Sequence, residues 1–576
     1  MAVRNADIAA IFAEIGDLLE IKGENPFRVR AYRNAARTIE SLGPELRTMV
    51  GKGEDLEELP AIGADLAAKI VEIVRTGRCA FLDRLHRELP PAITELLKVP
   101  GIGPKRVKAL HDTLDVQTLE ELRHAARQGR VRDVPGFGEK TEAHILQAIE
   151  ARLGEVPRFR LAVAVQYAEA LVAYLEKAPG VRRVMVAGSY RRMKETVGDL
   201  DLLVTAADGS VVSDHFTRYG EVTEVLASGD TRSSVQLGNG LQVDLRVVPE
   251  ESFGAALHYF TGAKAHNIAI RRLGQARGLK INEYGVFQDE ARIAGDTEES
   301  VFASVDLPWI PPELREDHGE IDAAANGTLP TLVELSDLRG DLQAHASATD
   351  GQAALREMAA AARAAGLDYL AITGRAVSHG GDADALAKQG EEIDRLNAEL
   401  SGITLLKGVE VGVRQDGSLD LPDAALAGLD VVIAAVDSRF DLPRSRQTER
   451  LLRAIAHPRV KLIAQPSARR VGAGQAYDVD MPRVLRAARQ AGVHLALTAH
   501  PERLGLQDTH CRMAKDEGVL VSVGSDAQSP RDFASLRFGV GQARRGWLAK
   551  EDVLNTRELR ALKPLLARKA GRQLRL

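Results

Sequence analysis

The segment Gly198-Asp199-Leu200-Asp201-Leu202-Leu203-Val204 sets two carboxylates at the head of an apolar run. In a β-strand alternate residues face the same side, so Asp199 and Asp201 aim their charges together. Two such charges repel unless a divalent cation lies between them. A second apolar run, Val243-Asp244-Leu245-Arg246-Val247-Val248, offers a third acid, Asp244. Three carboxylates on neighbouring strands make a two-metal site. Ions about 3.5–4 Å apart there activate an attacking hydroxyl and neutralise a leaving pyrophosphate. Upstream, Gly188-Ser189-Tyr190-Arg191-Arg192 follows an expected strand and suits a phosphate-cradling turn, with Gly188, Ser189 and Arg192 meeting the outer phosphates. The alternative is a surface strand edge at Asp199 and Asp201 with Asp244 unrelated, and the adjoining apolar runs count against it.

A second pattern recurs three times: Leu59-Pro60-Ala61-Ile62-Gly63, Val99-Pro100-Gly101-Ile102-Gly103 and Val134-Pro135-Gly136-Phe137-Gly138. Each precedes a helical segment carrying a basic residue. Glycine turns of this kind let backbone N–H groups approach a phosphate oxygen, and the following helix adds its positive dipole end. Such contacts grip a DNA backbone without reading sequence. Gly63, Gly101, Gly103, Lys105, Gly136, Gly138 and Lys140 are the expected DNA-binding residues. Ala61, standing where glycine is expected, weakens the first copy.

With 576 residues the chain has material for about three to five compact units. Residues 1–155 read as short amphipathic helices with Gly-Pro punctuation. Expected strands at Val181–Gly188, Asp201–Thr205 and Gln242–Val248 then mix with helices such as Leu161–Leu175. Asp322–Pro330 reads as a linker. Beyond it, short buried strands (Tyr369–Thr373, Thr404–Gly408, Val431–Val436, Lys461–Ala464, His494–Thr498, Leu520–Val523) alternate with Ala-rich helices, the pattern of a parallel sheet or α/β barrel. The fold class expected is multidomain, α+β followed by α/β. Net charge is −5, so DNA contact must come from local placement of charge. One local excess exists: residues 537–576 hold eleven Lys/Arg against three Asp/Glu, which suits either a DNA contact or a solvated helical tail. Two cysteines, Cys79 and Cys511, exclude a disulfide framework. The apolar runs are too short for a membrane span, so no membrane partner and a cytoplasmic location are expected.

Taken in order, these motifs resemble the family X DNA polymerases, the group containing DNA polymerase beta, over residues 1–318. The resemblance implies a lyase-like helical domain with a helix-hairpin-helix (1–80), a fingers-like DNA-binding helical domain with helix-hairpin-helix elements (81–155), a mixed-sheet nucleotidyltransferase palm (156–255) and a thumb-like nucleotide-selection domain (256–318). Tyr259-Phe260-Thr261-Gly262, followed by Asn267 and Arg271, matches the family's nucleotide pocket. It implies Tyr259 and Phe260 against the sugar, Asn267 at the minor-groove edge of the incoming base and Arg271 on the template strand. Ile281-Asn282-Glu283-Tyr284-Gly285 matches a thumb motif. Lys69 matches the Schiff-base lysine of a 5′-deoxyribose-phosphate lyase, with Arg28 and Tyr32 around it; a phosphate contact is the competing reading, and nearby Asp65 opposes the lowered pKa a nucleophile needs. Glu155 stands where the family has a basic residue, with Arg158 as a substitute. The implied activity is template-directed addition of dNTPs to a 3′-hydroxyl with magnesium or manganese, on gapped or primer–template DNA in short-gap repair.

After a linker at 319–337, residues 338–576 resemble a PHP domain, a metal-dependent phosphoesterase module. The resemblance rests on Gly340-Asp341-Leu342-Gln343-Ala344-His345, Asp350-Gly351, Gly408-Val409-Glu410, Pro501-Glu502-Arg503-Leu504 and Ser525-Asp526-Ala527. It implies nine His/Asp/Glu ligands for about three metals. His345, Asp350, Glu410 and Asp526 are acceptable, whereas Gln343, Arg375, Asp437, Gln465 and Gln528 stand where histidine is expected. Glutamine is a poor ligand beside imidazole, although Asp437 can still bind. The expectation is an α/β-barrel-like domain with weak or absent nuclease activity. The alternatives are a 3′–5′ nuclease acting through this domain and a non-catalytic scaffold for gapped DNA.

Overall fold

The computed structural model describes residues 3–567 apart from 43–44, 90, 100–101, 115, 154–157, 346–350, 375–382 and 473–476. The chain packs as two compact units, Met1–Pro157 with Tyr219–Thr223 and Leu237–Leu241, and the remainder to Leu576.

The first unit is helical, as its punctuated amphipathic sequence dictates. Local signals set its boundaries: Thr118 caps Leu119–Arg127 by accepting from Glu121 N while the Glu121 carboxylate accepts from Thr118 N, each at 3.1 Å. One apolar core runs through it, from Phe12 and Tyr32 to Leu122 and Ile149. Its hairpin turns share one geometry. Ile62, Ile102 and Phe137 donate back to Leu59, Val99 and Val134 at 3.1, 3.0 and 3.0 Å. Helices then start at Ala64, Pro104 and Glu139. Gly136 has φ +88° and Ala61 has φ +62°, so Ala61 holds the left-handed backbone that its glycine counterpart adopts freely. The first copy is therefore built despite its alanine, at a cost of about 1–2 kcal/mol.

After Phe159–Arg160 and the helix Leu161–Leu175 comes a five-stranded mixed sheet in the order Val181–Val186, Asp199–Ala206, Gln242–Val248, Arg232–Leu237, Val222–Ala227. Only the pairing of Asp199–Ala206 with Gln242–Val248 is parallel among those registered, and it sets Asp201 opposite Asp244. Helices Phe253–Thr261 and Lys264–Ala276 and a three-stranded antiparallel sheet follow. The stretch expected as a linker is packed instead. Glu320–Ala325 is helical, Glu320 is buried against His266 at 2.6 Å, and Leu332 and Val333 are buried. Its Ala and Thr-Leu-Pro composition hid contacts that only tertiary packing makes.

Seven parallel strands then run in sequence order from Gly340–Ala344 to Val521–Gly524. Ala344 bridges to Ala527, so the first and last strands nearly close the ring. The strands are buried on both faces, as parallel sheets must be. One face packs Leu342, Ala371, Ile433 and Leu462 with Leu562, and the other packs Leu370, Ile372 and Val432 under the helices. The basic run from residue 537 opens as a packed helix, Leu536–Arg545. Phe538, Val540 and Ala543 are buried, and Arg537, Arg544 and Arg545 pair with Glu169, Glu313 and Asp508. Over Leu536–Arg545, neither a solvated tail nor a bare basic surface describes it, while Arg560 further on is exposed and residues 568–576 lie outside the described residues. No helix among the described residues is long and apolar enough to cross a membrane.

Candidate active site

Because Asp199 and Asp201 lie two apart on one strand and Asp244 faces them from the next, their carboxylates converge, with ligand oxygens all within 4.8 Å of one another. Burial, then Asp199 and Asp244, pushes the Asp201 carboxyl up to about 7. Burial and Asp244 raise Asp199, opposed by Arg158 and Arg192. Mutual repulsion of this kind is relieved by a divalent cation, and three hard oxygen donors suit one. Asp244 is fixed by Ser234, which donates from the neighbouring strand, and by Gln242 Nε2 at 3.2 Å. Sequence reasoning missed Ser234, whose strand carries no chemical motif.

Gly188 sits at the mouth of this group with φ +64°, and a Cβ there would stand 2.3 Å from Asp201 Oδ2. Only glycine admits the following turn this close to the acids. Ser189 lies on that short turn, Gly188–Arg191. Arg192 donates from Nε to Glu316 at 2.9 Å and from Nη1 to Thr261 O at 2.8 Å. Burial alone would raise Glu316, but Arg192, Lys194 and Arg545 hold it at about 2. Arg158 donates to Thr196 Oγ1 and O at 2.9 and 2.6 Å.

The aromatic segment joins the same cluster. Arg246, two residues beyond Asp244, stacks over Phe260 at 4.8 Å, and Tyr259 meets Phe260 edge to face. Asn267, 9% exposed, holds the turn: its Nδ2 donates to Tyr259 O at 2.6 Å and Gly262 O at 3.4 Å. Arg271 is exposed and donates to Asn267 O at 3.3 Å. The turn is anchored from behind through Arg191 by Glu298, Arg315 and Trp309, which no local motif marks. Glu298 takes both Nη atoms of Arg191 at 2.8 Å, Arg315 Nη1 at 2.5 Å and Trp309 Nε1 at 3.1 Å, and Arg191 also donates to Thr261 Oγ1 at 2.8 Å.

In the barrel, His345, Glu410 and Asp526 also converge within 4.8 Å. Two groups already occupy them. Gln343 Nε2 donates to Glu410 at 2.9 Å, and Arg503 pairs with Asp526 at 2.6 Å. Burial would raise Asp526, but Arg503 and His345 hold it well below the carboxylate range. Asp437 does not join: it is exposed, beside Asp420 over Gly412. Gln528 is exposed as well. Asp350 and Arg375 lie outside the described residues.

In the helical unit, Gly63, Gly103 and Gly138 face open space, and Lys105 and Lys140 are exposed on the helices that follow. Gly101 and Glu155 lie outside the described residues. Lys69 Nζ is bound to Asp65 at 2.5 Å and lies 5.5 Å from the Phe81 ring centroid, with Arg28 over the same ring.

Family descriptions match four stretches: "Helix-hairpin-helix domain" over 3–79, "SAM-like Helix-hairpin-helix tandem" over 93–151, "DNA polymerase beta palm" over 156–249 and "DNA polymerase beta thumb" over 256–316. The chain is 36% identical to DNA polymerase/3′-5′ exonuclease PolX of Bacillus subtilis (strain 168), across 98% of this chain and 99% of the relative. It is 25% identical to DNA polymerase lambda of Arabidopsis thaliana over 54% of this chain and 62% of that protein. Identity to DNA polymerase lambda of Rattus norvegicus is also 25%, over 50% and 52%.

Proposed function

The chain belongs to the bacterial family X DNA polymerases, and on that premise we propose that it fills short gaps in DNA by template-directed addition of dNTPs to a 3′-hydroxyl. The observation that carries this reading is the convergence of Asp199, Asp201 and Asp244 beside the Gly188 turn. Those three carboxylates would hold magnesium or manganese, which supplies activation of the hydroxyl and neutralisation of the departing pyrophosphate. The protein's own groups do the positioning: Ser189 and Arg192 receive the outer phosphates, Tyr259 and Phe260 bound the sugar, and Asn267 and Arg271 flank the base pair. The hairpin turns at Gly63, Gly101, Gly103, Gly136 and Gly138, with Lys105 and Lys140, grip the DNA backbone on either side of a gap. Extension of a primer across a one-nucleotide gap is expected to exceed extension of an open primer–template. Equal rates on both would remove the gap-filling part of the proposal.

The barrel is a degenerate PHP domain in this reading, with Arg503 neutralising Asp526 where a metal would otherwise do so. Full-length protein carrying Asp199→Asn and Asp201→Asn, dialysed against manganese, is expected to retain well below one equivalent. A full equivalent would favour the second reading, a 3′–5′ exonuclease centred on His345, Glu410 and Asp526, which their convergence supports. Lyase chemistry at Lys69 is a separate proposal, resting on its place beside Tyr32, Arg28 and Phe81. Borohydride should trap wild type, and not Lys69→Ala, on an incised abasic site; equal trapping of the two would exclude Lys69 as the nucleophile.

A further inference from the structure

The turn that carries Arg192 is held from the far end of the chain. Arg545, 7% exposed on the helix Leu536–Arg545, donates from Nη1 to Arg192 O at 3.0 Å and to Glu316 Oε1 at 3.1 Å. Its Nη2 is anchored on Asp508 at 2.6 Å. Glu316 is the same carboxylate that binds the Arg192 side chain, so Arg545 holds both the backbone of Arg192 and its ionic partner. Three residues on, Glu195 accepts both Nη atoms of Arg469 and Gln542 Nε2 at 2.7 Å. Between them Met193, at φ +53°, packs on Gly541 so closely that a Cβ there would lie 2.4 Å from Met193 Cε. Every one of these clasping groups comes from the barrel region. The clasped turn leads through Thr196 directly into the strand that begins at Asp199.

We propose that Arg545, with Arg469 and Gln542 in support, is a positioning residue for nucleotide addition: the barrel domain sets where Arg192 presents its guanidinium to the incoming triphosphate. The inference rests on the polymerase reading above. A carboxylate shared among Arg192, Lys194 and Arg545 binds each of them less tightly than one held by Arg192 alone. Without Arg545, Glu316 draws Arg192 towards itself and away from phosphate, while the turn loses its carbonyl contact. An interaction made to substrate before and during reaction affects KM more than kcat. Loss of one charge-assisted contact corresponds to about tenfold.

The test is steady-state incorporation at saturating one-nucleotide-gapped DNA, comparing wild type, Arg545→Ala, Arg545→Lys and the control Arg537→Ala, whose ion pair with Glu169 is exposed. Arg545→Ala is expected to raise the KM for dNTP about tenfold with kcat within about threefold. Arg545→Lys should raise it about threefold, since an ammonium can meet Glu316 but cannot span the carbonyl and Asp508 as a planar fork does. Arg537→Ala should match wild type. A KM within about twofold of wild type in a folded Arg545→Ala variant would overturn the inference, even if its unfolding midpoint fell. Should Arg545→Ala fail to fold, the lysine variant decides by the same criterion. Inactive wild type would sink the polymerase reading itself, an outcome distinct from an active wild type indifferent to Arg545.

Discussion

Glu298→Ala is expected to lower the unfolding midpoint by on the order of 10 °C. Glu298 is 5% exposed and answers Arg315, which is fully buried, together with Arg191 and the Trp309 indole. Removing the carboxylate leaves the buried Arg315 guanidinium without its counter-ion and Arg191 without its ionic partner, and breaking a buried ion pair from one side costs about 3–5 kcal/mol. Glu298→Gln keeps the shape and the Trp309 contact, so its loss should be smaller. The pH dependence has a fixed sign. Burial would raise Glu298, but Arg191 and Arg315 hold it well below its ordinary value of 4.5. Its contribution is therefore present above about pH 4.5 and lost as pH falls through the depressed folded value. A thermal melt of Glu298→Ala within about 2 °C of wild type at pH 7 would contradict the network's role.

Asp201→Asn should have opposite effects on stability and activity. With Asp201 raised to about 7 by burial, Asp199 and Asp244, the metal-free folded state resists ionisation that the unfolded chain undergoes near 3.8. That contribution is fully present below about pH 4 and is lost as pH rises through about 7. In EDTA at pH 8 the asparagine variant should therefore be the more stable protein. Allowing for solvent screening of a half-buried group, the gain is on the order of 2 kcal/mol. The gain should vanish towards pH 4, and magnesium should stabilise wild type more than the variant. Polymerisation should fall on the order of a thousandfold, since a lost ligand weakens charge stabilisation by several kcal/mol. An asparagine variant less stable than wild type in EDTA at pH 8 would mean that the three carboxylates do not repel as their spacing requires.

What could be read from the chain beforehand divides by range. Asp199, Asp201 and Asp244 were legible because strand periodicity turns a two-residue spacing into a shared face. The barrel strands were legible because parallel sheets demand continuous apolar runs. Glu298, Arg315, Glu316 and Arg545 were not, because ion pairs spanning from 17 to 229 residues leave no local pattern. Arg503 lies within Pro501-Glu502-Arg503-Leu504, yet nothing in its spacing tells that it faces Asp526. Ala61 counted against its hairpin on intrinsic preference, yet it holds φ +62° and the bond from Ile62 N to Leu59 O is made all the same. The 319–337 stretch misled by composition, since the partners that bury Glu320 and Val333 come from elsewhere in the chain.

The central claim is that the Asp199, Asp201 and Asp244 cluster performs template-directed synthesis. Its most direct test is extension of a gapped duplex with each dNTP supplied singly, on four templates differing at the gap position, by wild type and by Asp199→Ala/Asp201→Ala. The account predicts that wild type adds only the nucleotide complementary to each template, and that the double variant binds the same DNA without adding any. Addition regardless of template, or synthesis that survives in the double variant, would contradict it.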